Sequence, residues 1–262
     1  MNIRLFQIDA FSDKLFHGNP AAVCPLTEWL PDELMQQIAM ENNLAETAFF
    51  VKEQDRYLIR WFTPAVEVDL CGHATLASAY VIFHYENHPH AVIAFNSRSG
   101  LLTVTRNGDR LTLNFPADSL EKAAPPEELV SGIGLRPVEC HKGKSDYMLV
   151  YGTPEEIESI RPDMGRIAAV PARGIIVTAP GRGVDFVSRF FAPQSGVPED
   201  PVTGSAHTTL APYWAARLGK NELTAMQLSK RRGWLSCRLA GDRVEISGKA
   251  CAYLTGQIEV EL

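Results

Sequence analysis

The chain repeats itself once, and that repeat limits the possible folds more than any other feature. Residues 57–64 (YLIRWFTP) lie over residues 186–193 (FVSRFFAP), with Arg60, Phe62 and Pro64 matching Arg189, Phe191 and Pro193 at a separation of 129 residues. Gly72-His73-Ala74 precedes Gly204-Ser205-Ala206 by 132 residues, and Gly108-Asp109-Arg110 precedes Gly241-Asp242-Arg243 by 133. Three matches in one order, at a separation that grows slowly, describe a duplicated unit that has gained small loop insertions. A repeat has to be read before any local pattern, because missing one misassigns the whole fold.

Each half carries the same plan. A strand rich in β-branched and aromatic residues runs into a Pro-containing loop, then a helix apolar nearly all round, then strands punctuated by turns. The first such helix is expected over 74–83 and the second over 205–214. Pro212 predicts a kink or a second start in the latter, because proline has no N–H to donate. A helix with so few charges on any face belongs inside a fold rather than on its surface. A separate amphipathic helix is expected over 31–41, with Pro31 in its first turn and Asp32 and Glu33 complementing its dipole. Strands around 101–104 and 110–113 flank Asn107-Gly108, a hairpin signal. The expected organisation is a first half over 1–116 and a second over 117–255, joined through residues 116–128, which are rich in Ala, Pro and charge. A spare strand over 256–262 has no counterpart in the first half and is expected to cross back and complete it.

Composition removes several function classes. With 45% hydrophobic and 21% charged residues over 262 positions, the chain is an ordinary globular one. A formal net charge of −6 lacks the basic footprint of a nucleic-acid binder. The most apolar stretch, 74–83, is about half the ~20 residues that a bilayer span requires, and the first residues contain no apolar signal-peptide core. Five cysteines, odd in number and widely spaced without a CxxC, predict reduced thiols and a cytoplasmic location.

Two segments concentrate chemistry at helix starts: residues 67–75 (EVDLCGHAT) and residues 198–207 (PEDPVTGSAH). A helix N-terminus presents unpaired N–H donors and the positive end of its dipole, which suits a carboxylate or phosphate, and glycine lets a ligand approach the backbone closely. The same residues also describe two well-capped helices with Asp69 and Asp200 as capping acids. A third segment, 41–50 (ENNLAETAFF), places Glu46 between a helix end and an apolar strand. A carboxylate there is either partly desolvated, with a raised pKa suited to proton transfer, or a solvent-facing glutamate at a strand start. His84, His88 and His90 fit no common zinc spacing and read as surface histidines. His17 and His207 read either as cleft residues or as structural ones. There is no P-loop, and no GxGxxG follows a strand.

Four ordered motifs carry a family resemblance: Gly18-Asn19-Pro20-Ala21-Ala22-Val23, Asn43-Leu44-Ala45-Glu46-Thr47-Ala48-Phe49, Asp69-Leu70-Cys71-Gly72-His73-Ala74-Thr75 and Glu199-Asp200-Pro201-Val202-Thr203-Gly204-Ser205-Ala206-His207. Together they resemble the PhzF-like phenazine-biosynthesis protein family, from the N-terminus to the last strand. The resemblance implies an α/β (α+β) fold of the diaminopimelate-epimerase-like class. That fold has two similar halves, each a curved, mostly antiparallel sheet wrapped round a buried central helix, with the active site in the cleft between them. It implies Glu46 as general acid/base with His73 and Asp200 as further catalytic residues. Asn19, Gly72, Thr203, Gly204 and Ser205 are implied to bind substrate. The implied activity is a cofactor-independent, metal-free isomerisation that moves a proton between carbons of a small carboxylic acid, in a homodimer with no nucleic-acid or membrane partner.

Epimerase relatives of that class use two facing cysteines, one at each helix start. Cys71 matches the first, and the second position reads as Pro201, which cannot act as a base. Cys71 itself reads either as a thiol activated at a helix start or as a buried packing thiol. An amino-acid epimerase or racemase and a non-catalytic small-acid binding protein are the alternative functions.

Overall fold

A computed structural model describes residues 1–260; Glu261 and Leu262, the last two residues of the expected terminal strand, lie outside the described residues. In chain order the elements are β1 (Asn2–Ala10), β2 (Asn19–Leu26), α1 (Asp32–Asn42), β3 (Glu46–Glu53), β4 (Arg56–Phe62), β5 (Glu67–Val68), α2 (Gly72–Tyr85), β6 (Val92–Ser97), β7 (Gly100–Asn107) and β8 (Arg110–Pro116). They continue with β9 (Glu121–Lys122), α3 (Glu127–Ile133), β10 (Glu139–Lys142), β11 (Asp146–Val150), α4 (Pro154–Ser159), α5 (Met164–Ala168), β12 (Gly174–Pro180) and β13 (Phe186–Phe191). The last are α6 (Gly204–Leu218), β14 (Glu222–Gln227), β15 (Gly233–Ala240), β16 (Arg243–Gly248) and β17 (Ala250–Glu259).

The chain divides into two units, one of residues 1–114 with 247–262 and one of residues 115–246. In the first unit β1 pairs antiparallel with β2, β2 parallel with β3, β3 antiparallel with β4, β4 parallel with β6, and β6 antiparallel with β7. The second unit runs through the same succession: β10 antiparallel to β11, β11 parallel to β12, β12 antiparallel to β13, β13 parallel to β14, and β14 antiparallel to β15. The repeat is therefore carried by strand topology as well as by residues. In the first unit β17 adds to β1 in an antiparallel ladder from Asn2↔Glu259 to Ala10↔Ala250. That strand begins at Ala250, six residues before the start read from the sequence.

The central helix of each unit is longer than its apolar pattern. α2 starts at Gly72 and α6 at Gly204, and both run past the expected ends. Ten residues of α2 from His73 to Phe83 are buried, as the lack of a charged face requires. Pro212 neither breaks α6 nor begins a new helix. Its missing N–H leaves the Thr208 carbonyl without the usual partner four residues on, and the Asp118 N–H takes that carbonyl at 3.1 Å instead. The connecting segment is thus ordered by the second unit rather than being a free linker. It also forms β9, which pairs with β10.

The repeated arginine has the same task in both units. Arg60 on β4 donates from Nε and Nη2 to the two oxygens of Glu67, both at 2.7 Å. Arg189 on β13 donates likewise to Glu199 at 2.7 and 3.0 Å. Each glutamate stands five residues before the first glycine of the buried helix. A two-bond guanidinium–carboxylate pair fixes direction as well as distance, so each one sets the path of the chain into the helix start.

Candidate active site

In the first unit the site is built at the junctions of α1 with β3 and of β5 with α2. α1 ends at Asn43 in a left-handed conformation (φ 48°), which turns the chain so that Glu46 opens β3 opposite Ala21. Cys71 is the N-cap of α2, in extended backbone, and its side chain makes no capping hydrogen bond. The sulfur instead faces His73: Cys71 Sγ lies 3.4 Å from His73 Nδ1, and His73 Nε2 lies 3.2 Å from Glu46 Oε2. Cys71 and His73 are buried, and the Glu46 side chain is 15% exposed.

Burial, and then the nearby Glu46 carboxylate, push the Cys71 thiol up to about 11, so it is protonated at neutral pH. Burial pulls His73 downward, but Cys71 and Glu46 outweigh it and hold the imidazole well above its ordinary range. The arrangement is a buried ring with strengthened proton binding, set between a carboxylate and a thiol. Cys71 is therefore a buried thiol, yet one whose neighbour is a functional candidate rather than packing alone. Ligand atoms of Glu46, Cys71 and His73 lie within 4.8 Å of one another, and among the described residues no other group has this spacing. The two ring nitrogens face different partners, so an ion bound there would displace one of the two contacts.

Asn19 is wholly buried at the start of β2. Gly18 before it has φ +68°, and a Cβ there would stand 2.2 Å from the Ala10 carbonyl oxygen, so only glycine lets the chain enter β2 this way.

In the second unit Thr203 is the N-cap of α6, and its side chain does not cap the helix. Its hydroxyl donates to Asp200 Oδ2, while its N–H donates to Gln227 Oε1 at 2.8 Å. Gln227, fully buried at the end of β14, also donates from Nε2 to the Asp200 carbonyl at 2.7 Å and to Thr203 Oγ1 at 3.2 Å. Neither Asp69 nor Asp200 caps a helix, so the capping-acid reading of these segments fails. Asp69 points to solvent near Arg98, and the residues at the cap positions are Cys71 and Thr203. The counterpart of Cys71 is accordingly Thr203 rather than Pro201, because both stand directly before the first helical glycine. A threonine hydroxyl is no more a base at neutral pH than proline is.

Gly204 and Ser205 form the first two positions of α6. Ser205 Oγ accepts from Arg173 Nη1 at 2.9 Å. Arg173 is held in turn by Asp146, through Nε to Oδ1 at 2.9 Å and through Nη2 to Oδ2. An arginine has only donors, so this contact uses the serine oxygen as acceptor and leaves its O–H to donate. Helix N–H groups, a hydroxyl donor and a guanidinium together suit a carboxylate.

His207 is fully buried, with Nδ1 2.8 Å from the Thr203 carbonyl oxygen, and burial pushes it down to about 4. It is a neutral structural histidine. His17 is half-buried with Nδ1 near the Leu15 carbonyl oxygen, and His88 holds the Val92 carbonyl oxygen and the Tyr57 hydroxyl. Sequence reasoning missed Arg173, Asp146 and Gln227. No motif marks them, because their partners stand 24 to 32 residues away and meet them only through strand pairing.

The chain matches the family described as "Phenazine biosynthesis-like protein" over residues 8–256. It belongs to that family. A relative from Pseudomonas aeruginosa, named as an uncharacterized isomerase, is 52% identical over 260 residues, covering 99% of this chain and 100% of the relative. A crystal structure of a PhzF-family phenazine biosynthesis protein from Enterococcus faecalis superposes with a TM-score of 0.97 at 44% identity, covering 99% of this chain and 100% of that one. A hydroxyproline epimerase from Agrobacterium vitis, at 12% identity and a TM-score of 0.64 over 98% and 92% of the two chains, shares the fold alone. The mixed α/β architecture of this wider class is the one expected from the sequence. No helix among the described residues is long and apolar enough to cross a membrane.

Proposed function

We propose that the protein is a cofactor-independent isomerase that moves a proton between carbons of a small unsaturated or cyclic carboxylic acid, with Glu46 as the general acid/base. The observation that carries this reading is the Glu46 carboxylate beside the His73 ring at 3.2 Å in a nearly closed environment. The buried His73 ring fixes the direction of the carboxylate, and a base so held is suited to taking a proton from carbon. The electron pair of the broken C–H bond spreads over the conjugated acid. Donors on the substrate carboxylate hold the enolate-like charge, and a proton is delivered from the acid/base to another carbon as the double bond shifts. Substrate and product have one formula, so nothing is oxidised or reduced and no second reactant is consumed.

Gly72, Thr203, Gly204 and Ser205 supply the donors in this reading, with Asn19 as a further substrate contact and Asp200 as a second catalytic carboxylate. The isomerase names of the relatives support the reaction class, and the hydroxyl and guanidinium at the start of α6 support a carboxylate as the bound group. Epimerisation by paired thiols is disfavoured by Thr203 at the position that answers Cys71.

Proton NMR in D₂O, with a panel of cyclic and unsaturated carboxylic acids, tests the reading. Deuterium is expected to enter a C–H position of at least one acid with the unaltered protein and not with Glu46→Gln, while that variant still binds the same acid. Tight binding of an acid without exchange would instead make the protein a small-acid binding protein. Exchange at equal rates in both proteins would remove Glu46 from the mechanism.

A further inference from the structure

We propose that Cys71 is a positioning residue for the acid/base pair: its sulfur occupies Nδ1 of His73 and thereby keeps Nε2 turned to the Glu46 carboxylate. Three observations meet here. The His73 ring is 4% exposed, so each of its nitrogens needs a partner inside the protein. Sγ is the group at Nδ1, 3.4 Å away, and Glu46 Oε2 is the group at Nε2, 3.2 Å away. Cys71 also stands at an N-cap, where a side chain ordinarily turns back to the free N–H groups of its own helix. Its side chain makes no capping hydrogen bond and its sulfur faces residue 73, although the Ala74 N–H also bears on it.

The repeat supplies an internal control. Thr203 occupies the same position in the second unit, where Ser205 replaces the imidazole, and there the cap side chain bonds Asp200 instead. The sulfur-to-ring contact therefore goes with the half that carries the histidine rather than with the helix start as such.

The consequence concerns the proton on His73. The titratable groups bearing on that ring are Cys71 at the start of α2 and Glu46 at the start of β3. With the sulfur in place, an Nδ1–H has an acceptor, and Nε2 faces the Glu46 carboxylate at 3.2 Å. Without it, a buried Nδ1–H would lose the acceptor it has there, so the ring would give up that proton more readily. A serine hydroxyl keeps an acceptor at the site, whereas alanine and valine do not.

The inference deepens the isomerase reading but is tested without substrate, so the two can fail separately. Imidazole ¹⁵N shifts of His73 are recorded against pH in resting protein labelled at histidine nitrogen, for the unaltered chain and for Cys71→Ala, Cys71→Val and Cys71→Ser. In the unaltered protein both ring nitrogens are expected to carry protons at neutral pH, with Nε2–H retained when the ring deprotonates. Cys71→Ala or Cys71→Val, whichever folds, is expected to weaken proton binding at His73 by about tenfold, one pH unit, and Cys71→Ser to restore most of it. Unchanged titration in the alanine or valine variant would overturn the proposal. So would a single Nδ1–H tautomer with bare Nε2 in the unaltered protein, a result that needs no variant.

Discussion

Removing either partner of the Arg173–Asp146 pair breaks the same hydrogen bonds, yet the two losses are expected to differ in cost. The Asp146 side chain is 2% exposed and that of Arg173 is 41% exposed. Arg173→Met leaves a buried carboxylate in the second unit without its guanidinium, the situation in which breaking a buried pair costs about 3–5 kcal/mol. Asp146→Asn leaves a guanidinium that already reaches solvent and lies 5.4 Å from the centre of the Phe190 ring, with an amide oxygen still able to accept one bond. That loss resembles one charge-assisted hydrogen bond, about 1–2 kcal/mol. Urea unfolding of both variants and the parent at neutral pH measures the difference, expected to be about 2 kcal/mol in the order Arg173→Met below Asp146→Asn. Equal losses, or a larger loss in Asp146→Asn, would refute the reasoning, since the asymmetry follows from burial alone. Binding of the exchanging acid is expected to weaken in both variants, because Arg173 no longer orients the Ser205 hydroxyl.

His207 and Gly18 give further tests. Because burial pushes His207 down to about 4, the unfolded chain binds a proton that the folded one refuses as pH falls below the ordinary histidine value. Stability is therefore fully present above about pH 6.5 and declines towards pH 4, by about 3 kcal/mol from this residue. Urea unfolding across that window should show a steeper acid loss in the parent than in His207→Gln, and parallel profiles would contradict it. Gly18→Ala places a Cβ against the Ala10 carbonyl at a positive φ, and is expected to cost more than about 1 kcal/mol. A thermal midpoint equal to that of the parent would show that the entry into β2 relaxes freely.

How far the sequence could be read differs from element to element. The two buried helices were legible because their apolar residues leave no face for water, a property of neighbouring side chains. Their ends were not, since Gly72 and Gly204 are poor helix formers and the Arg60–Glu67 and Arg189–Glu199 pairs that precede them exist only in the folded chain. Glu46, His73 and Asp200 were legible as motif residues, but their arrangement was not. Nothing in Cys71-Gly72-His73 tells whether the sulfur caps the helix or faces the ring. Pro212 shows the same limit: local rules demand a disturbed helix, and the remedy comes from the backbone of Asp118, 94 residues away.

What the sequence determined by itself is what short-range chemistry encodes: a duplicated α/β plan, a buried helix in each copy, and glycine-led helix starts flanked by acids. The tertiary structure alone decided which groups meet. Arg173 reaches Ser205 because Asp146 on β11 and Gly174 at the start of β12 are register partners in one parallel ladder. Gln227 reaches Thr203 and Asp200 because β14 lies beside β13. His73 sits between a thiol and a carboxylate because β3 and α2 begin side by side. The physical reason is that hydrogen bonds and burial act through space over a few ångströms, whereas the order of residues constrains only neighbours along the chain.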